Sequence, residues 1–478
     1  MPLILPGNVA SALGGAYEVA NSCRFNDGDS AYMTRANAGS DGTTDTWTMS
    51  MWVKRSTLGT NQFLFIGYTS GNLQVSLRFN TSDQLYFFQE DHPAHNGRLL
   101  MTTARKFRDC SSWYHIVVQY DSTQSTNTNR AKIYINGVQE TTFDGSVTWP
   151  DQNFDSEMTS ASTTIYIGRE SGDSMYFDGY MAEVVLLDGT AATPTSFGEF
   201  DEDSPQIFKP IDVSGLTFGT HGFYLDFEDS SNLGNDANGG TDFTENNLAA
   251  TDQATDTPTN NFATWNSIAQ WDVGGTQVYS EGNLKVAVSS NFGRTTSTIG
   301  VTAGKWYMEV KQTAENIPHG NGESVINVIG DPDYTTSHWN GFAQSFGIRN
   351  HNGYAYTGTS EASSWHPNWT VGDIIGVGLD MDNHRVYFSK NGQWFDGSGN
   401  ADESTPTGYL TLSSSYSTYF LNVINSHDSA TETYEVNFGS PSFTISSGNA
   451  DANGYGNFEY SVPSGYYALC TKNLAEYG

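Results

Sequence analysis

The sequence predicts an all-β protein with two β-sandwich domains in tandem. Charged residues make up only 15% of the 478 residues, aromatic residues reach 13%, and glycine occurs 49 times. Serine, threonine and asparagine fill most polar positions, where a helical protein would carry lysine and glutamate. Short apolar runs bounded by turn formers recur along the chain without a helical period between them. The length exceeds what one hydrophobic core serves, so we expect more than one domain.

The most informative stretch is residues 372–395, GDIIGVGLDMDNHRVYFSKNGQWF. An apolar run over 374–379 is followed by turn formers and by a second apolar run over 386–388. The pair Asn391-Gly392 then suits a type I′ turn, because both central residues of that turn need a positive φ. An isolated hairpin does not persist in water, so the stretch predicts a hairpin within a larger sheet.

A related pattern occurs in the first half of the chain. Residues 113–121 form an apolar run, a Ser/Thr/Asn-rich loop follows, and a second run over 130–137 ends in Asn136-Gly137. The order of strand, loop, strand and Asn-Gly therefore occurs twice. We infer two domains of related architecture, each made of one sheet packed on another.

One further strand shows the alternation expected of one-sided burial. In residues 47–53, WTMSMWV, the large apolar side chains alternate with Thr48 and Ser50. Other strands are predicted at residues 63–66, 73–79, 85–88, 164–167, 180–187, 223–227, 304–310, 345–348, 419–424 and 434–438.

The domain boundaries follow from shifts in composition. Residues 1–18, rich in proline and glycine, are expected to be a docking arm that becomes ordered on a partner, or else a frayed terminus. Residues 19–227 form the first predicted sandwich and residues 262–478 the second. Residues 228–261 are acidic, rich in Asn and Asp and without periodicity, and they predict a linker.

The linker region also contains candidate calcium ligands. Asp226, Asp229 and Asp236 place carboxylate oxygens on loop backbone, as a calcium site requires, although the spacing matches no EF-hand. Calcium is therefore a possible ligand, and no cofactor is expected to be required.

The net charge excludes some partners. The chain carries 21 basic and 53 acidic residues, a net charge of −32, which repels phosphate backbones and anionic membranes. We therefore expect no nucleic-acid partner, and no apolar segment is long enough to predict membrane insertion. Three cysteines are too few for a disulfide framework, and the start of the sequence lacks a signal-peptide pattern, which predicts synthesis in a host cytoplasm.

The segment FDGYMAEVVLLDG at 177–189, together with residues 47–53 and the first hairpin, resembles laminin-G-like, concanavalin A-like jelly-roll domains. That resemblance covers about residues 22–227. It implies carbohydrate binding, sometimes through calcium, and some members are glycoside hydrolases. In the second half, GKWYMEV, SFGIRN and the hairpin at 372–395 resemble a SPRY domain, which implies a bent sandwich that binds proteins through its loops without catalytic residues.

Nearly the whole chain is similar to virion structural proteins of tailed, notably marine, bacteriophages. The resemblance rests on MPLILPGNVASALGGAYEVANS, on GFYLDFEDSSNLGND with DTPTNNFATWN, and on SGYYALCTKNL. It implies a virion location, contacts with other virion proteins through the N-terminal arm, and a homo-oligomer. It also implies a host surface glycan or protein as the external partner.

A near-match to a glycosidase motif lies at residues 199–203, EFDED. Glycoside hydrolases of the laminarinase type carry E-x-D-x-E on a strand, with one carboxylate as nucleophile and another as acid/base. Here Asp203 replaces the second Glu, and Ser204-Pro205 follows at once. The sequence therefore predicts that the protein is not an enzyme.

Aromatic residues in and beside the loops of the second domain are the predicted ligand contacts. Exposed rings stack on sugars or anchor protein partners, whereas buried rings would belong to the sandwich core, and the sequence leaves both alternatives open. The candidates are Trp339, Tyr354, Tyr356, Trp365, His366, Trp369 and Trp394.

The leading hypothesis is a non-enzymatic phage adhesin, on a tail fibre or as a head fibre or decoration, that binds host glycan or surface protein. One alternative is an architectural decoration or cement protein of the particle. A glycan-cleaving virion enzyme is the third, and it would depend on Glu199.

Overall fold

The computed structural model describes residues 17–69, 73–91, 96–269, 275–289, 293–315, 324–332, 344–350, 353–425 and 431–478. These residues form two compact units, one ending at Thr259 and the other beginning at Asn260. Strands account for 43% of the chain and helices for 5%, so the predicted all-β fold with tandem β-sandwiches is confirmed. Among the residues described, no helix is long and apolar enough to cross a membrane.

The N-terminal unit consists mainly of two packed antiparallel sheets. The eight-stranded sheet has the order β10-β9-β8-β3-β12-β1-β17, with β15 also paired to β12. The seven-stranded sheet has the order β16-β2-β11-β4-β5-β6-β7, and β13 and β14 form a separate hairpin. The strands are β1 Ser22–Phe25, β2 Tyr32–Ala36, β3 Thr46–Arg55, β4 Gln62–Thr69, β5 Leu73–Phe79, β6 Leu85–Asp91, β7 Asn96–Thr102, β8 Tyr114–Asp121, β9 Ala131–Ile135, β10 Val138–Gln139, β11 Thr164–Ile167, β12 Gly179–Asp188, β13 Gly198–Phe200, β14 Phe208–Pro210, β15 Phe223–Leu225, β16 Thr244–Asn246 and β17 Gln253–Ala254. Short 3-10 turns lie at Asp27–Asp29, Asn127–Asn129, Glu157–Thr159, Pro194–Ser196 and Ala250–Asp252.

The eight-stranded sheet is buried on both faces. In β3, Trp47, Met49 and Met51 enter the core between the sheets, as their alternation predicts. Thr48 and Ser50, expected on an exposed face, are 0% and 2% exposed. Residues 189–220 cover that outer face with apolar side chains that pack on the sheet.

Residues 228–259, expected as part of a linker, instead contribute strands and core side chains to the N-terminal unit. Strand β16 pairs with β2 and β17 pairs with β1, one on each sheet. Leu233 and Phe243 lie in the main core. The carboxylate of Asp256 lies 2.6 Å from the ammonium of Lys54, and both side chains are buried. Composition suggested a linker because the segment is polar and acidic, whereas the fold pairs acidic groups of this segment with basic side chains of the sheet, Asp252 with Arg24 and Asp256 with Lys54.

The C-terminal unit is a second sandwich. Its ten-stranded sheet has the order β18-β19-β32-β21-β26-β27-β28-β29, with β30 paired to β27 and β33 to β21, and its six-stranded sheet has the order β20-β31-β22-β23-β24-β25. The elements are β18 Gln277–Ser280, β19 Lys285–Val288, β20 Arg294–Thr296, β21 Lys305–Glu315, β22 Ser324–Gly330, β23 Ser345–Arg349, β24 Tyr354–Thr357, β25 Ser360–Ala362, β26 Ile374–Asp380, β27 Arg385–Lys390, β28 Gln393–Phe395, β29 Ala401–Glu403, β30 Tyr409–Thr411, β31 Tyr419–Asn425, β32 Glu432–Asn437, β33 Tyr467–Ala468 and the helix α1 Thr471–Tyr477.

The predicted hairpin at residues 372–395 is confirmed as β26, β27 and β28. Residues 375–380 of β26 pair with β27, and β28 turns back onto β27. Asn391 and Gly392 have φ values of 50° and 80°, as a type I′ turn requires.

A late segment covers the outer face of the ten-stranded sheet, as residues 189–220 do in the first unit. Phe458 and Tyr466 pack there against Tyr307 and Trp394. The buried carboxylate of Glu309 accepts hydrogen bonds from the backbone N–H groups of residues 459 and 460 at 3.0 and 2.8 Å. These bonds fix the segment to the sheet, because a buried carboxylate needs such donors.

Candidate ligand-binding groove in the C-terminal unit

The loop between β25 and β26 forms one wall of an open groove. The groove has a volume of about 510 Å³, and its lining is mainly small and polar. Ser363, Ser364 and Asn368 are exposed. The lining residues are Gly353, Tyr354, Ser363, Ser364, His366, Asn368 and Gly399.

The structure divides the seven aromatic candidates into buried and partly exposed groups. His366, Trp369, Trp394 and Tyr356 are at most 4% exposed, so the expectation of exposed rings does not hold for them. They are buried because each packs against the sandwich or the segment that covers it. Tyr354 and Trp365 are partly exposed, and Trp339 lies outside the described residues. Of the seven, Tyr354 and His366 line the groove.

His366 holds the loop in place. Its ring stacks on Trp369 at 5.5 Å and on Phe395 at 5.2 Å between ring centroids. Its two ring nitrogens lie 2.9 Å from the carbonyl oxygen of Pro367 and 3.2 Å from that of Tyr354. Burial lowers the pKa of His366, so the ring is neutral at physiological pH. The side chain therefore positions the groove wall without carrying charge into it.

Trp369 anchors the base of the same loop. Its indole N–H donates to the side-chain oxygen of Gln312 at 2.8 Å. The amide nitrogen of Gln312 donates to the hydroxyl of Ser324 at 2.8 Å, and that hydroxyl donates to Glu432 at 2.8 Å. Burial raises the pKa of Glu432 to about 7. This buried network holds the loop against the sandwich, since breaking it would leave polar atoms unpaired.

Two glycines allow the backbone to approach closely at the groove. Gly353 has a φ of 60°, and a Cβ atom there would lie 2.1 Å from the carbonyl oxygen of His366. Gly399 has a φ of 101°. The N–H of Trp365 donates to the carbonyl of Gly353 at 2.9 Å, and the N–H of Gly399 donates to the carbonyl of Trp365 at 3.2 Å. The walls are therefore joined by backbone bonds, and the groove is pre-formed.

Sequence reasoning found the loop but not most of the atoms that line the groove. The prediction singled out large rings, whereas five of the seven lining residues are glycine, serine or asparagine. A usable signal was the cluster of small residues at 397–400, Gly-Ser-Gly-Asn, which lies opposite Ser364. Such residues mark close backbone approach, but only the fold brings the two segments together.

The three candidate calcium ligands bind protein groups. Asp226 accepts a hydrogen bond from a backbone N–H at 3.1 Å, and Asp229 accepts one from the N–H of Ser231 at 2.9 Å. Asp236 accepts from two backbone N–H groups and lies 3.6 Å from the guanidinium of Arg35. Within the described ranges, no group of three or more His, Cys, Asp or Glu side chains is arranged to hold a metal ion. Calcium binding stays a prediction.

The glycosidase-like segment lies on the β13–β14 hairpin. The side chain of Glu199 is 54% exposed and lies 3.4 Å from the ammonium of Lys209. Asp201 accepts hydrogen bonds from the backbone N–H groups of Asp203 and Ser204 at 3.1 and 2.8 Å. The carboxylates therefore stabilise a turn and a surface ion pair, and they do not line the described groove.

Two family models match separate parts of the chain. Residues 27–195 match the concanavalin A-like lectin/glucanases superfamily, in its laminin-G form. Residues 291–406 match the SPRY domain. Over 77 residues the chain is 32% identical to a dual specificity protein kinase of Dictyostelium discoideum, and this match spans 16% of the chain and 3% of that relative.

Solved structures also match parts of the chain. The SPRY domain of human HERC1 is 20% identical with a TM-score of 0.26, and the match covers 32% of this chain and 87% of that one. A Bacteroides ovatus structure described as a candidate carbohydrate binding protein is 19% identical with a TM-score of 0.33, covering 48% and 59%. A pentraxin from Limulus polyphemus is 14% identical with a TM-score of 0.27, covering 37% and 80%. By the two family models, the chain contains a concanavalin A-like domain of the laminin-G type followed by a SPRY domain, a pair that fits a binding role.

Proposed function

We propose that this protein is a non-enzymatic adhesin of a tailed-phage particle, on a tail fibre or on the head surface, that binds a host glycan or surface protein. The pre-formed polar groove beside residues 363–368 is the observation that carries the proposal. The resemblance of the chain to phage virion proteins supports the location. The N-terminal arm would attach the protein to other virion proteins, and a homo-oligomer would present several grooves.

The groove suits a polar ligand. Serine hydroxyls, asparagine and backbone groups line it, and these groups exchange hydrogen bonds with hydroxyl or amide groups. Because the buried contacts of His366 and Trp369 already fix the loop, ligand binding does not have to order the loop first. A single groove of this kind binds weakly, and many copies on one particle raise the avidity.

Two observations support the absence of catalysis. Retaining glycosidases hold two carboxyl groups about 5–5.5 Å apart across the scissile bond. Here Asp201 accepts hydrogen bonds within a turn, and the ammonium of Lys209 lies 3.4 Å from Glu199 and 3.6 Å from Asp201. In addition, Phe208 stacks on Trp52 at 6.2 Å and on His115 at 5.1 Å, so the hairpin covers the sheet face beneath it.

Filling the groove tests the proposal. Ser363 is exposed and lines the groove, so Ser363→Trp should occlude it without disturbing the core. Ser414 is also exposed and does not line the groove, which makes Ser414→Trp the matched control. Particles carrying Ser363→Trp are expected to adsorb to host cells at least about tenfold more slowly, which corresponds to about 1.4 kcal/mol of activation free energy.

Two results would contradict the proposal. The first is antibody labelling in the electron microscope that finds no protein on the surface of intact particles. The second is that the protein lies on the surface and both tryptophan variants adsorb like the wild type, which favours the architectural alternative. In that case particles without the protein should lose stability instead of adsorption.

A further inference from the structure

Lys54 and Asp256 form a buried pair on the outer face of the eight-stranded sheet. Lys54 lies on β3 next to the core residue Val53, so its side chain points away from the core. Its ammonium nitrogen lies 2.6 Å from Oδ2 of Asp256, and the two side chains are 1% and 2% exposed. Asp256 follows β17, and 202 positions separate the two residues in the chain. The fold therefore holds an amino group and a carboxyl group from distant segments in direct contact.

Aromatic side chains pack beside this pair. The ring centroid of Tyr180 lies 5.7 Å from the ammonium of Lys54. Tyr180 belongs to a buried apolar cluster on the outer face of the sheet, together with Trp113 and Phe208. An ion pair in such surroundings keeps little of the solvation that stabilises charge in water.

The hydrogen bond gives a route from the ion pair to two uncharged groups. Transfer of one proton from Nζ to Oδ2 turns the ammonium into an amine and the carboxylate into a carboxylic acid. The apolar surroundings lower the cost of this transfer, because the uncharged pair needs no solvation of charge. A desolvated lysine amine is a nucleophile, whereas an ammonium group is not.

The geometry suits attack of the amine on the carboxyl carbon. Because Oδ2 is bonded to Cγ, the hydrogen bond places Nζ roughly 3 to 3.5 Å from Cγ, the separation of a near-attack conformer. The hydroxyl of Ser22 donates to the carbonyl of Asp256 at 2.6 Å and fixes the backbone there. The indole N–H of Trp113 donates to the other carboxyl oxygen, Oδ1, at 3.1 Å. When a tetrahedral intermediate places negative charge on Oδ1, this buried N–H stabilises it.

We propose that Lys54 and Asp256 form an intramolecular isopeptide bond without help from an enzyme. Nζ attacks Cγ and forms the new C–N bond, and the negative charge rests on Oδ1 beside Trp113. The bond between Cγ and Oδ2 then breaks, and Oδ2 leaves as water with the proton it already holds and one more from the nitrogen. The product is a secondary amide, so the reaction releases one water molecule and needs no oxidant, reductant or other reactant.

The bond joins the interior of the eight-stranded sheet to the segment that ends the N-terminal unit. The strands β12 and β1 lie between β3 and β17 in that sheet. The link therefore closes a covalent ring around this part of the sheet and restricts the unfolded chain.

Freshly folded protein holds the ion pair, and the amide accumulates afterwards. Only the fraction of the pair that has transferred its proton reacts, which makes the reaction slower than folding. Stability measured on freshly folded protein therefore reports on the ion pair. The reaction does not depend on what the groove binds, so its test stands apart from the adsorption experiment.

Mass spectrometry of the full-length chain tests the proposal. The purified protein is kept at neutral pH and sampled for two weeks. We expect the intact mass to fall by one water molecule, and protease digests to contain a peptide pair joined between Lys54 and Asp256. Lys305 and Asp380 in the C-terminal unit are the internal control. Their charged groups lie 3.0 Å apart, but the side chain of Lys305 is 32% exposed, so this pair is expected to stay unlinked.

Variants separate the roles of the side chains. Asp256→Ala is expected to keep its full mass. Trp113→Phe lacks the N–H beside Oδ1 and should lose water at least about tenfold more slowly. Asp380→Ala, which removes the carboxylate of the control pair, should react like the wild type.

Each of four results would overturn the proposal. The first two are an unchanged mass of the wild-type chain and linkage at Lys305 to the same extent as at Lys54. The others are water loss in Asp256→Ala equal to that of the wild type, and an undiminished rate in Trp113→Phe. Because the first two are measured on the wild-type chain, they decide the question even where a variant fails to fold.

Discussion

Replacing Glu183 by glutamine is expected to stabilise the N-terminal unit at neutral and alkaline pH. Glu183 is 4% exposed and lies at a bulge of β12 with a φ of 50°. The hydroxyl of Tyr224 lies 3.0 and 2.9 Å from its two carboxylate oxygens, and the hydroxyl of Tyr17 donates to it at 3.1 Å. Burial, opposed by these hydrogen bonds, raises the pKa of Glu183 from 4.5 to about 7.

The magnitude follows from proton linkage. Asp226 and Glu228 face the same carboxyl group and raise its pKa further. Between pH 4.5 and about 7 the folded state keeps a proton that the unfolded state has released. The stability from this group is therefore fully present below pH 4.5 and is lost as pH rises towards 7, by roughly 3 kcal/mol in total. A glutamine keeps hydrogen bonds to the tyrosines and has no charge to desolvate.

Scanning calorimetry between pH 4.5 and 8.5 measures this difference. At pH 8.5 the transition of the N-terminal unit in Glu183→Gln should lie about 5 to 10 °C above that of the wild type. At pH 4.5 the two should coincide. Glu202→Gln, a change at an exposed carboxylate that is not among the groups raising the pKa of Glu183, should shift stability by less than about 0.5 kcal/mol. Parallel pH profiles for wild type and Glu183→Gln would refute the reasoning.

Three further predictions concern buried contacts. Trp369→Phe should lower the free energy of unfolding of the C-terminal unit by about 2 to 4 kcal/mol, measured by urea titration. The change leaves a cavity, and the buried side-chain oxygen of Gln312 loses its hydrogen-bond donor. Trp365→Phe at the partly exposed neighbouring position should cost under about 1 kcal/mol, and equal losses would argue against the network. Lys54→Met should cost about 3 to 5 kcal/mol because it removes the ammonium group beside the buried carboxylate of Asp256. The double variant Lys54→Met/Asp256→Leu should recover most of that loss in the same titration. Gly353→Ala should destabilise the C-terminal unit by at least about 1 kcal/mol, because Gly353 has a φ of 60° and the new Cβ would lie 2.1 Å from a carbonyl oxygen. An unchanged melting temperature would show that the loop adapts.

Much of the fold could be predicted because a few neighbouring residues determine a strand or a tight turn. Period-2 alternation placed Trp47 and Met49 in the core, and Asn391-Gly392 gave the turn type. The candidate site was predicted less well, because the exposure of a ring is not a local property. Trp369 follows Pro and Asn, as loop residues do, yet Gln312 pairs with its indole from a distant strand and its exposure is 0%.

The sequence by itself determined the all-β class, the two sandwiches, most strand positions and the excess of negative charge. Tertiary structure decided which faces of those sheets reach solvent. Residues 189–220 close one face of the first sandwich, residues 228–259 join its sheets, and the loop at 363–368 meets Gly399 to form a groove. The reason is physical: a strand's alternation depends on its own few residues, whereas burial depends on segments that reach it from far along the chain.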